Sequence, residues 1–199
     1  SEKQDFHVIP TDTISISIDK DAVLRSGIML PDSIRHLKGK ELKNAIPDKI
    51  YISLKDMRIL TKVDMLMLEM LANCNWERPL YMAISVGEVS KLKFDHYFVQ
   101  EGLAFRFTPF DYKKWGNVKG DNNYAIDVER LYENVMNRYK YGGLDTPGLY
   151  LDETTLRTCY YHRRLFAQLA KELIRQGDNT RARKVLAYAE QAVPAYNVP

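Results

Sequence analysis

Apolar and polar residues recur with recognisable periods along most of this chain. Ile14, Ile16 and Ile18 alternate with Ser15 and Ser17, the period of two of a half-buried strand at the edge or start of a sheet. From Pro31 to Lys49 no period is sustained and lysine is frequent, which predicts an irregular connection with room for one short helix. Lys49 to Leu54 is β-branched and aromatic, Thr61 to Cys74 is helical, and Arg78 to Ser85 is apolar again. In that helix Val63, Leu66, Met67, Met70, Leu71 and Cys74 recur at helical spacing, and Thr61 and Asp64 are spaced as a capping box. Met65 and Leu68 widen the apolar surface, so the helix is expected to be covered on more than one side. Strand, helix and strand in this order predict a βαβ unit with a right-handed parallel crossover. Leu66 is then a core residue whose replacement by alanine costs about 2–5 kcal/mol.

His96 to Phe110 reads as a hairpin reversing at Glu101-Gly102, with Leu103, Phe105 and Phe107 alternating with Ala104 and Arg106. Asp111 to Asn123 is a polar loop. Tyr124 to Tyr141 is a helix with Leu131, Tyr132, Val135, Met136 and Tyr139 on one side, ended by Gly142-Gly143 and followed by a turn at Asp145 to Gly148. Two helices close the chain. Asp152 caps the first, with Leu156, Cys159, Phe166, Leu169, Ala170 and Leu173 inside. Asp178 caps the second, with Ala182, Val185, Leu186, Ala189 and Val193 inside. Counting a 34-residue unit from Arg163 puts Gly177, Ala182, Ala189 and Pro194 where a tetratricopeptide helix pair needs a tight turn, small residues and a terminator. The expected fold class is α+β, with an α/β domain over residues 1–150 and a tetratricopeptide-like hairpin over residues 151–199 packed on it.

Composition changes this picture little. The 199 residues are 45% hydrophobic and 28% charged, as in ordinary globular proteins, and a net charge of +3 is too small to argue for nucleic acid. The longest apolar runs, Leu80 to Ile84 and Val185 to Ala189, are far below the ~20 residues that cross a bilayer. Two cysteines make neither a disulfide framework nor a four-cysteine zinc site. The basic excess from Thr154 to Lys184 interleaves with apolar residues and reads as a solvated helix face. Starting at Ser1 without a signal peptide, the chain reads as an excised piece.

Candidate chemistry is sparse. His7, His36, His96 and His162 lack metal-site spacing, and Asp121-Asn122-Asn123 begins like a calcium loop without its glycine. Gly116 and Gly120 do not form a phosphate cradle, and Ser85-Val86-Gly87 is not a nucleophile elbow. Cys74 and Cys159 read as core thiols. No catalytic residue, metal or cofactor is nominated. Paired carboxylates drawn from Asp95, Glu101, Asp145, Asp152 and Glu153 leave a hydrolase reading open. Trp76, Arg78 and Tyr81 form the most individual cluster, structural in the first reading and ligand-binding in the second. Tyr150, Tyr160 and Tyr161, with Tyr141, suit interfacial packing first and sugar stacking second.

The runs Leu71 to Ala83, Tyr97 to Arg106 and Gly142 to Asp152 resemble the soluble C-terminal region of a bacterial multi-spanning membrane family of unknown function, itself similar to protein O-mannosyltransferases. The resemblance covers most of residues 10–199. It implies an extracytoplasmic domain on the periplasmic face of the inner membrane, attached to a transmembrane part of the same polypeptide, with no catalytic residue carried over onto this chain. That part would carry glycosyl transfer from a lipid-linked sugar. It also implies that helical repeats continue past the point matching Pro199, leaving an apolar helix face through which two copies could pair. The implied function is an accessory module positioning a protein or glycan acceptor. The alternatives are a self-standing carbohydrate-active hydrolase using paired carboxylates and a pure protein-interaction scaffold.

Overall fold

The computed structural model describes residues 10–55, 57, 59–86, 92, 94–118 and 124–199. The chain is α+β, and its residues gather into two units that interleave along the sequence. Residues 1–80, 87–98 and 107–124 form the first, and residues 81–86, 99–106 and 125–199 the second. The division therefore does not fall at residue 150. Within the second unit the strand from Tyr81 pairs with the strand from Ala104, and the hairpin turn is held by Arg130, Asn134 and Tyr139.

In the first unit β1 (Thr13–Ser17) pairs with β2 (Lys49–Ser53) in an antiparallel two-stranded sheet. Ile16 sits opposite Ile50 and Ile14 opposite Ile52, and the period of two buries Ile16, Ile50 and Ile52 while Ser15 and Tyr51 face solvent. Between the strands run α1 (Lys20–Arg25) and α2 (Gly39–Ala45). Asp19 caps α1, its Oδ1 accepting the Asp21 and Ala22 N–H groups at 2.9 and 3.0 Å.

After β2 comes α3 (Lys62–Asn73), which packs on β1. Its capping box is formed: the Thr61 N–H donates to Asp64 Oδ2 at 2.8 Å and the Asp64 N–H to Thr61 Oγ1 at 3.2 Å. Asp64, Leu68 and Leu71 are its buried residues, whereas Val63, Leu66 and Met70 stand in solvent. The expected inner face is thus only partly the observed one, and Leu66 is not a core residue. The helix is apolar over more than one face, so periodicity alone did not select the face that docks.

Beyond α3 the chain turns through Asn75 and Trp76, both at positive φ (50° and 61°). That conformation costs a non-glycine residue about 1–3 kcal/mol. Burial of the indole offsets it: Trp76 is 4% exposed, its Nε1 donates to the Ser17 carbonyl at 3.0 Å, and its ring stacks on Phe107 at 5.7 Å. Phe94, Tyr97 and Phe98 close around the same Phe107.

A four-stranded sheet has most of its residues in the second unit. Its strands are β3 (Tyr81–Ala83), β4 (Phe98–Gln100), β5 (Ala104–Phe107) and β6 (Ala125–Ile126), in the order β3-β5-β4-β6. The hairpin is present as expected, with the Glu101 N–H donating to the Ala104 carbonyl at 3.1 Å. The parallel βαβ crossover is not. β2 pairs antiparallel with β1 and β3 antiparallel with β5, in separate sheets. Strand, helix and strand are all there, but each strand finds an antiparallel neighbour elsewhere, and the described parallel pair is β4 with β6.

The predicted helix at Tyr124 to Tyr141 is shorter. α4 (Val128–Glu133), capped by Asp127, runs into a π-helical turn at Asn134–Arg138. Then come α5 (Glu153–Arg175) and α6 (Asn179–Ala192), packed against each other. Asp152 accepts the Thr154 and Thr155 N–H groups, Asp178 accepts that of Arg181, and Gly177 at φ 83° makes the tight turn. Leu165, Phe166, Leu169 and Leu173 from α5 and Ala182 and Val185 from α6 form the centre of the core with Leu131 and Val135. Of the small residues predicted for the helix pair, Ala182 is nearly fully buried and Ala189 half-buried.

Candidate functional site

The C-terminal pair supplies the site. Between α5 and α6, Arg163, Arg164, Phe166, Ala167, Leu186, Ala189 and Glu190 line an open groove of about 400 Å³. The tight Gly177 turn holds the helices together at one end. At the other, Arg163 Nη1 donates to the Val193 and Val198 carbonyls at 3.0 and 2.9 Å, pinning the segment that follows α6. Its Nη2 lies 3.7 Å from Glu190 Oε1. One wall is therefore a fixed guanidinium, the floor is apolar, and Leu186, expected inside, is 48% exposed there. Ala189 is small, so a groove exists where a larger residue would fill it. Tyr160, 43% exposed, precedes Arg164 and Ala167 by four and seven residues and continues the same helix face. Such a surface can take an apolar side chain with a polar or charged neighbour.

Beneath it, aromatic rings fix α5 to the segment after the π turn. The His162 ring meets Tyr141 at 5.2 Å and Tyr139 at 5.9 Å, both edge to face. Tyr141 also contacts Phe166 at 5.6 Å and Tyr188 at 6.0 Å. Burial pushes the His162 imidazole below its ordinary range, and its Nδ1 has no hydrogen-bond partner among the described residues. Burial likewise pushes the Tyr141 hydroxyl and the Cys159 thiol up. These groups are held neutral, which suits packing and not acid–base or nucleophilic chemistry.

A second polar cluster surrounds Glu101, which is 6% exposed. Tyr81 donates from its hydroxyl to Oε2 at 2.9 Å, and Arg130 Nη1 to Oε1 at 3.1 Å. Arg106 Nη1 lies 3.7 Å from Oε1. Burial, and then the Glu101 carboxylate, push the Tyr81 hydroxyl up. The π turn aims two more side chains here: Asn134 Nδ2 donates to the Glu101 carbonyl at 2.7 Å, and Tyr139 Oη accepts the Leu103 N–H at 2.9 Å. Sequence reading missed this knot. Its partners Arg106, Arg130 and Asn134 are spread along the sequence, and the π turn leaves no mark on the 3.6-residue pattern.

The residues singled out from the sequence are dispersed. Trp76 is spent in the core of the first unit, and Arg78 is exposed in that unit; Tyr81 belongs to the second, tied to Glu101. Tyr150 is 88% exposed ahead of α5, Tyr160 flanks the groove, and Tyr161 is half-buried. Of the five carboxylates, Glu101 is buried and held by arginine and tyrosine, and Asp152 is a helix cap. Asp95 and Asp145 are exposed, as is Glu153, which lies 3.3 Å from Arg157. His96 is half-buried with Nε2 3.6 Å from Asp111, and burial outweighs that carboxylate to push its imidazole down. His36 is exposed. His7, Gly87, Gly120 and the calcium-like run Asp121 to Asn123 lie outside the described residues. Among the described residues no group of three or more His, Cys, Asp and Glu is placed to hold a metal ion, and no helix is long and apolar enough to cross a membrane.

A family model described as TMEM260-associated domain 2 matches residues 1–129, so the helix pair lies beyond the matched span. No curated protein and no solved structure matches the chain.

Proposed function

Because the chain belongs to the TMEM260-associated domain 2 family, an accessory domain of membrane proteins, we propose that it is a non-catalytic module of a glycosyltransferase-like membrane protein. In this reading it lies on the periplasmic side, and the parent protein is similar to protein O-mannosyltransferases. The module presents a protein or glycan acceptor to chemistry housed in the membrane part of the polypeptide. The observation that carries the proposal is the α5/α6 groove, with its apolar floor between Phe166 and Leu186 and its arginine wall. An open groove on a rigid helix pair offers binding without reactive groups. Tyr160 adds an aromatic face suited to a sugar ring or an apolar side chain.

The test uses both the full-length membrane protein and this chain. Arg164→Glu with Leu186→Glu should raise KM for the acceptor roughly tenfold, equivalent to about 1.4 kcal/mol of binding, with kcat retained. The isolated chain given a lipid-linked mannose donor should transfer nothing. Turnover by the isolated chain, or an unchanged KM in the double variant, overturns the reading.

A further inference from the structure

In α3 the sequence and the fold disagree about which apolar residues are covered. At 100° per residue, Val63, Leu66, Met67 and Met70 share one arc of roughly 100° on the helix. That arc lies beside the buried one formed by Asp64, Leu68 and Leu71. Val63 is 43%, Leu66 57% and Met70 50% exposed; Met67 is half-buried, and Ile59, just ahead of the helix, is 60% exposed. Single exposed apolar residues are commonplace, but a run of them on one flank of one helix marks an interaction surface. Lys62, Glu69 and Asn73 form the polar stripe bordering this flank, one cation against one anion.

From this arrangement we infer that the exposed flank of α3 rests in the interfacial layer of a lipid bilayer. Three observations select that occupant. The area is the first. Half-exposed side chains present on the order of 100 Å² each, so the patch amounts to a few hundred Å², well short of the roughly 800 Å² per partner in a stable protein–protein interface. A weak contact becomes useful when the domain is already tethered, and the family places this domain in membrane proteins, where the tether supplies a high effective concentration. Shape is the second. α3 packs on β1 and leaves Val63, Leu66 and Met70 on its outside, a single helix flank that a deformable lipid surface accommodates more readily than a rigid partner does. Side-chain chemistry is the third. Unbranched methionines adapt to a fluid surface, and a helix lying in the membrane plane sinks its apolar flank among the acyl chain ends while its polar stripe stays at headgroup level. With Lys62 and Glu69 balanced, adhesion is driven by apolar contact and not by anionic lipid.

The experiment is flotation of the 199-residue chain with vesicles of phosphatidylcholine alone and of phosphatidylcholine mixed with phosphatidylglycerol, at low and high salt. The chain should float with both, with little dependence on salt. Leu66→Gln with Met70→Gln should lower the partition coefficient roughly tenfold or more, while its thermal unfolding matches that of the parent chain. Leu186→Gln, in the groove of the other unit, should leave flotation unchanged. Four results overturn the inference: no flotation with either vesicle, equal flotation of the double variant, flotation that high salt abolishes, or a dimer in sedimentation that the double variant splits. Acceptor presentation is read by KM and fails or survives independently of this assay.

Discussion

Helices α3 and α5 carry similar apolar repeats and use them differently. α5 buries Leu165, Phe166, Leu169 and Leu173 and turns Arg164, Lys171 and Arg175 outward. α3 instead buries the carboxylate of its own capping box with Leu68 and Leu71, and leaves Leu66 and Met70 in solvent. The difference lies in what each helix packs against. α5 meets α6 and α4, whose apolar stripes cover its own, whereas α3 has beneath it a two-stranded sheet too narrow to cover all its apolar residues. A helix apolar over a wide arc must leave part of that arc for another partner.

Leucine-to-alanine changes test this contrast, and the largest effect belongs to α5. Leu169 is 0% exposed, so Leu169→Ala should cost about 2–5 kcal/mol, measured by denaturant unfolding. Gly102→Ala should follow at roughly 2–3 kcal/mol. Gly102 sits at φ 154°, and a Cβ there would lie 2.0 Å from Tyr139 Oη, the hydroxyl that accepts the Leu103 N–H. Loss of that Tyr139 contact should show as faster amide exchange at Leu103.

A smaller effect is expected with pH. Burial lowers the pKa of His162 in the folded state, so the unfolded chain binds its proton first. The stability this histidine supports is complete above pH ~6.5 and declines as pH falls from there towards its folded value. His96 acts in the same direction in the first unit. His162→Gln should flatten the slope of unfolding free energy below pH ~6.5 without removing the share due to His96. The carboxylate caps Asp152 and Asp178, lowered by hydrogen bonds from Thr155 and Arg181, lose their stabilisation in a more acidic window, so the two contributions separate on a pH series. Smallest of all, Leu66→Ala should change unfolding free energy by less than about 0.5 kcal/mol, against 2–5 for a buried leucine. A loss on the buried scale would mean that α3 packs by the flank seen in solvent.

Local signals were legible where a residue acts on its own neighbours. Thr61 with Asp64, Asp152 and Asp178 all cap helices as their spacing predicts, and Gly177 makes the turn. The candidate site was legible in half. Small residues at Ala182 and Ala189 foretold the close helix pair, but Leu186, expected inside, is the exposed lip of the groove. The Glu101 knot joins residues far apart in sequence, and no local period encodes such a meeting.

By itself the sequence determined the α+β class, the starts of α3, α5 and α6, the β4–β5 hairpin and the C-terminal helix pair, because periodicity, caps and glycine conformations are properties of a few adjacent residues. Only the tertiary structure decided that β2 and β3 join different sheets, that Trp76 is core, and which flank of α3 is covered. Those outcomes depend on which distant surfaces compete for the same apolar residues. That competition is resolved by total area buried and hydrogen bonds satisfied across the whole unit.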